Sequence, residues 1–240
     1  MTRAGGLTVS RALVCLPFAG GGAGFYRGWT EVPDAGPRIT PFQLPGREEL
    51  FAEEPYDDVV TAAEQLAPRI VSSTAEYDGF ALFGHSLGAV LAYEAVKALA
   101  RLDAPAPEHL FVSGSPGPRS GRTDRATGLG DDEFLARVEQ FAGYRHEALD
   151  DPELREILLP LLRADVEMHE NYKPRSDEPI TVPVTALRGS DDTLVGADQA
   201  REWSGVTTAA FHYVEIPGRH MYLVDAARPL LESITRTLAG

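Results

Sequence analysis

Along the chain, short continuous apolar runs alternate with longer segments whose apolar residues recur every three or four positions, the pattern of a parallel sheet covered by helices. Ala12-Leu13-Val14-Cys15-Leu16, ended by Pro17 and a glycine-rich turn, predicts a buried strand. A weaker strand is predicted from Arg38 to Leu44, stopping at Pro45-Gly46. Val59, Ala63, Leu66, Ala67 and Ile70 fall at helical spacing, with Asp57 and Asp58 placed to cap that helix and Pro68 placed to kink it. Residues 80–83 predict a strand, the stretch carrying Val90, Leu91, Tyr93, Val96 and Leu99 a helix, and Leu110-Phe111-Val112 another strand. Residues 182–187 and 211–216 predict two more strands. The last helix carries Val224, Ala227, Leu231, Ile234 and Leu238 on one face.

This β-α alternation, expected to fill one domain over residues 1–240, is interrupted once, between about residues 115 and 179. The interruption opens with polar residues and then carries two leucine-rich helical segments, one with Phe134, Leu135, Val138 and Phe141, the other with Leu154, Ile157, Leu158, Leu161, Leu162 and Val166. Ligand sites of open α/β sheets lie at the carboxyl ends of the strands, where such insertions emerge, so a helical lid at 115–179 is expected. Ordinary packing of the helices on the sheet and a helix face for a partner protein are the rival readings. No internal repeat is present.

Composition narrows the function classes. The chain has 240 residues, 43% hydrophobic and 24% charged, close to soluble globular averages. No stretch approaches the ~18 uncharged apolar residues of a membrane span. With 22 Lys and Arg against 36 Asp and Glu, the net charge of −14 repels a phosphate backbone, and no basic cluster offsets it, so no nucleic-acid partner is expected. The one cysteine, Cys15, allows no intrachain disulfide, and residues 1–7 contain no apolar signal core, so a cytoplasmic location is expected. With one cysteine and no close histidine pair, neither a metal nor a cofactor is expected.

Gly84-His85-Ser86-Leu87-Gly88 falls between a predicted strand and a predicted helix. In that context the two glycines permit a sharp strand-to-helix turn that projects Ser86, and the helix start aims the Leu87 N–H at a developing oxyanion. A serine hydroxyl needs a base. His85 adjoins Ser86 and should point elsewhere; His109 is expected to precede a strand and His212 to lie within one; His146 and His169 lie in the insertion without a partner pattern. His220 follows the strand at 211–216 across Pro217-Gly218-Arg219, the loop where α/β-hydrolases place their base. Asp191 and Asp192, after the strand at 182–187, are both candidate acids; Asp192 is preferred because Asp-Thr-Leu-Val fits the usual acid turn. The order Ser86, Asp192, His220 is the chain order of an α/β-hydrolase triad.

The glycine-rich stretch Pro17-Phe18-Ala19-Gly20-Gly21-Gly22-Ala23-Gly24 is the candidate for the second oxyanion donor, with the N–H of Ala19 first and of Phe18 second. A nucleotide loop is the rival, but Phe25 occupies the third glycine position of G-x-G-x-x-G, and no G-K-[ST] follows.

Five blocks together resemble the discrete type II thioesterases that work beside polyketide synthases and nonribosomal peptide synthetases. They are Leu13-Val14-Cys15-Leu16-Pro17 running into Ala19-Gly20-Gly21; Leu44-Pro45-Gly46-Arg47-Glu48; Phe83-Gly84-His85-Ser86-Leu87-Gly88-Ala89; Leu159-Pro160-Leu161-Leu162-Arg163-Ala164-Asp165 with Tyr172; and Pro217-Gly218-Arg219-His220-Met221-Tyr222-Leu223. The chain departs from the family where Ser113-Gly114-Ser115-Pro116-Gly117-Pro118 precedes the arginine-rich stretch. The resemblance implies an α/β-hydrolase fold with a mostly parallel sheet and a helical lid, a triad of Ser86, Asp192 and His220, and oxyanion donors at Ala19 and Leu87. It also implies hydrolysis of acyl thioesters from the phosphopantetheine arm of an acyl carrier or peptidyl carrier protein. A carboxylesterase or chain-releasing cyclase on the same scaffold, or a non-catalytic binding protein, are the alternatives. Because such carriers are typically acidic, Arg119, Arg122, Arg125 or Lys173 is expected to offset the chain's own negative charge near the site.

Overall fold

The computed structural model describes residues 10–29, 36–121, 125–142 and 147–240, so the readings at residues 1–7, Arg122 and His146 lie outside the described residues. In chain order the elements are β1 (Arg11–Leu16), α1 (Ala23–Arg27), β2 (Arg38–Pro41), α2 (Val59–Thr74), β3 (Gly79–His85), α3 (Leu87–Arg101), β4 (His109–Ser113), α4 (Asp131–Ala142), α5 (Pro152–Asn171), β5 (Val184–Gly189), α6 (Ala197–Arg201), β6 (Phe211–Ile216), α7 (Tyr222–Asp225) and α8 (Ala227–Leu238). The strands form one parallel sheet in the order β2-β1-β3-β4-β5-β6. The chain leaves β1 for β2 on one side and returns to β3 on the other. The loops after β1 and β3 therefore diverge at a topological switch point, where an open α/β sheet leaves a crevice.

The apolar runs are continuous because both faces of the sheet are covered. Ala12, Val14, Leu16, Leu82 and Val112 pack towards α2 and α3, whereas Leu13, Cys15, Phe83 and Phe111 pack with Tyr26 and with Leu230, Leu231 and Ile234 of α8. Cys15 is fully buried, and burial pushes its thiol pKa well up. Between β4 and β5, α4 and α5 share an apolar cluster of their own, built on Phe134, Leu135, Leu159, Leu162 and Val166. No helix among the described residues is long and apolar enough to cross a membrane.

Several boundaries differ from the sequence reading, each for a local reason. The second strand ends at Pro41 rather than Leu44, and Phe42 adds one further N–H bond to the Cys15 carbonyl (2.9 Å) before the chain turns away. Pro41 has no N–H to give, which suits its edge strand. β5 starts at Val184, after Pro183, and runs on to Gly189. Asp58 caps α2 through the Thr61 N–H (2.7 Å), and α2 continues through Pro68. The last helix breaks at Ala226 (φ −117°, ψ 33°), so Val224 belongs to a separate turn and is half exposed instead of sharing the buried face. Leu154 and Ile157 of α5 are likewise exposed.

His109 lies within β4, stacked on Phe111 (ring centroids 4.4 Å apart), with Nε2 on Thr185 Oγ1 at 2.8 Å. Burial, with a smaller contribution from His212, lowers its pKa to about 4. A histidine depressed on folding stabilises above its unfolded pKa of about 6.5, and that contribution is lost as pH falls towards the native value. The parent should therefore lose about 1–2 kcal/mol more between pH 7 and pH 5 than a His109→Gln variant, as measured by urea unfolding.

Candidate active site

β3 ends at His85 and α3 begins at Leu87, so Ser86 alone makes the turn. Its backbone sits at φ 54°, ψ −115°, a conformation that costs an L-residue on the order of 1–3 kcal/mol. The flanking glycines serve close approach. A Cβ on Gly84 would overlap the Gly88 carbonyl, and one on Gly88 would strike the Leu16 carbonyl of β1. Ser86 N–H donates to the Ser113 carbonyl at the end of β4 (2.8 Å), which fixes the elbow against the next strand. Leu87 is the first residue of α3, and its N–H is one of the donors a helix leaves without an internal acceptor.

His220 and Asp192 are brought together from the loops after β6 and β5: Nδ1 of His220 meets Oδ2 of Asp192 at 2.9 Å, both side chains being buried. The other carboxylate oxygen, Oδ1, accepts the N–H groups of Leu194 (2.8 Å) and Val195 (3.0 Å). Burial pushes the Asp192 pKa up, but the hydrogen bond and charge of His220, with the two backbone N–H groups, outweigh it and hold the carboxyl below its ordinary range. Asp191 is exposed, and its N–H donates to the Gly218 carbonyl (2.9 Å), tying the two loops together. Arg188, missed at the sequence level, braces the acid loop through the carbonyls of Asp192 (2.7 Å) and Val195 (2.6 Å). With Nδ1 held by a carboxylate, Nε2 of His220 is the nitrogen presented for proton transfer.

The His220 ring lies 4.9 Å, centroid to centroid, from the ring of His85, the residue before Ser86. The His85 side chain, expected to leave the elbow in another direction from Ser86, runs to the end of β4. Its Nδ1 is bonded to Ser113 Oγ (2.8 Å), which in turn meets Tyr222 OH (2.6 Å). Burial pushes the Tyr222 phenol pKa up, so its hydroxyl keeps its proton near pH 7. No spacing in the sequence points to this contact between β3, β4 and α7.

The loop after β1 is held from three sides. Gly21 N–H closes a turn on the Phe18 carbonyl (2.9 Å), Ala23 N–H donates to Gln43 Oε1 (2.8 Å), and Gly20 N–H donates to Asp165 Oδ2 of α5 (2.7 Å). Arg47 pairs with both oxygens of Asp165 (2.7 and 2.8 Å) and donates to the Gly21 carbonyl (2.9 Å). Ala19 packs against the α4–α5 cluster. Of the basic residues expected to offset negative charge, Arg119 pairs with Asp177 (2.9 Å), Arg125 bonds Asn171 (2.6 Å), and Lys173 is exposed.

Comparison with known proteins places this geometry. The gramicidin S biosynthesis protein GrsT of Aneurinibacillus migulanus is 32% identical over 232 residues, covering 94% of this chain and 88% of that protein. Among solved structures, the RedJ thioesterase of the prodiginine pathway of Streptomyces coelicolor superposes with a TM-score of 0.84 at 34% identity, over 94% of this chain and 85% of that one. YbtT, a type II thioesterase from the yersiniabactin NRPS/PKS pathway, gives 0.85 at 29% identity, over 98% and 94%. The family model for the thioesterase domain matches residues 11–238, from the first strand to the last helix, and the chain belongs to that family.

Proposed function

We propose that this chain is a type II thioesterase that hydrolyses acyl groups from the phosphopantetheine arm of acyl or peptidyl carrier proteins. Ser86 is the nucleophile, His220 the base, Asp192 the residue that orients it, and the N–H groups of Ala19 and Leu87 the oxyanion donors. The observation that carries the reading is the buried His220–Asp192 pair beside a strained serine elbow. Segment 115–179, with α4 and α5, serves as a helical lid on one α/β-hydrolase domain, its apolar cluster lying against Ala19.

In the first half-reaction His220 Nε2 takes the Ser86 proton as Oγ attacks the thioester carbonyl. The oxyanion then lies between the two N–H donors, each worth about 10²–10³ in rate. Collapse expels the pantetheine sulfur, whose thiol pKa near 8.5 makes it a good leaving group, and the imidazolium returns the proton. In the second half, His220 deprotonates a water that attacks the acyl ester, releasing a carboxylic acid and Ser86. Neither half needs an added cofactor.

Intact-mass spectrometry tests this. Exposure to an acyl-loaded carrier protein should add one acyl group to the parent chain and none to Ser86→Ala. Oxyester turnover that exceeds carrier turnover would instead favour a general carboxylesterase.

A further inference from the structure

We infer that Arg47 and Asp165 are positioning residues for the oxyanion loop, so that α5 takes part in building the site it covers. The inference rests on the thioesterase reading above and adds a role for two side chains outside the triad.

Residues 18–21 form a tight turn closed by the Gly21 N–H on the Phe18 carbonyl, with Gly20 at φ +75° in its third position. A positive φ at that position is the mark of a type II turn, which differs from type I mainly by a flip of the central peptide. Here that peptide joins Ala19 to Gly20. Its N–H points at Asp165 Oδ2 (2.7 Å), an acceptor contributed from 145 residues further along the chain. The flipped peptide would turn the Ala19 carbonyl towards the same carboxylate, oxygen against oxygen. Asp165 thus selects one of two turn conformers, and the proposed donor, the N–H of Ala19, sits at the corner of the conformer selected.

Arg47 completes the clamp. Its guanidinium holds both oxygens of Asp165 and reaches the Gly21 carbonyl (2.9 Å), so the Ala19–Gly20 and Gly21–Gly22 peptides, one at each end of the Gly20-Gly21 pair, are fixed by one ion pair. Both side chains are buried (6% and 1% exposed), where charge-assisted hydrogen bonds are strong and their geometry is narrow. Leu162, one turn before Asp165 on α5, sets a second limit, since its Cδ1 would lie 3.0 Å from a Cβ on Gly20. Displacing α5 removes the acceptor from the Gly20 N–H and leaves the turn able to flip.

The test is Asp165→Asn, with rates expressed per active site titrated by a fluorophosphonate taken to completion. A mispositioned donor weakens the transition state and not the ground state, so kcat should fall about 10–100-fold with KM changed less than about threefold. The affinity for a boronic acid that forms a tetrahedral serine adduct should fall by the same factor as kcat/KM. Arg47→Lys, which keeps the charge but loses the fork, should show the same split more weakly, and it serves where Asp165→Asn does not fold. A folded variant with kcat per titrated site and boronate affinity within twofold of the parent overturns the inference, however far its melting temperature drops. Failure of the thioesterase reading is distinguishable, because then the parent itself forms no acyl-Ser86 ester on a loaded carrier.

Discussion

Ser86→Ala is expected to lower turnover of a carrier-bound acyl thioester by about 10⁴–10⁶-fold, the loss that follows removal of a serine nucleophile from an assembled site. Single-turnover thiol release from a loaded carrier measures it, and a residual rate within tenfold of the parent would remove Ser86 from the mechanism. The variant should remain folded, because Ser86 is tied to its surroundings by its backbone, through the N–H bond to the Ser113 carbonyl at 2.8 Å. Its strained φ of 54° persists with any L-residue. Ser86→Gly should therefore be equally inactive but more stable than Ser86→Ala by about 1 kcal/mol, as measured by urea unfolding.

The second large effect belongs to Asp192. Its Oδ1 accepts two backbone N–H groups, from Leu194 and Val195, so an asparagine there must keep its carbonyl oxygen on that side. Its NH2 group then faces His220 Nδ1, which has to act as acceptor. The ring proton moves to Nε2, the nitrogen that should receive the proton of Ser86. Asp192→Asn is therefore expected to lower kcat on the order of 10⁴-fold through the wrong tautomer. Asp191→Asn, exposed and engaged through its backbone, should stay within about twofold. Parallel kcat measurements decide; a reversal would move the acid to Asp191.

The parts legible in the sequence were those whose physics is local. The strand centres at residues 12–16, 80–83 and 110–112 stand out because a sheet covered on both faces leaves no polar alternation. The elbow is legible because Gly84 and Gly88 meet backbone at close range, a demand that shows in residue type. His220 and Asp192 follow from their order after successive strands, and the hydrogen bond between them favours Asp192 over its neighbour. The break at Ala226 was not legible, because Val224 keeps the helical period while lying in a separate turn. Arg47 and Asp165 stood out as parts of two blocks, yet nothing local says that a guanidinium and a carboxylate 118 positions apart share a buried site. The His85–Ser113–Tyr222 chain is similarly a product of strand order.

Cys15 is the chain's one cysteine, buried in β1 with its thiol held protonated. A colorimetric sulfhydryl reagent added to the native enzyme therefore meets no competing signal from it. With the proposed carrier-bound substrate, each cycle would liberate one pantetheine sulfhydryl, so colour development would count product directly, without first engineering the enzyme to be cysteine-free.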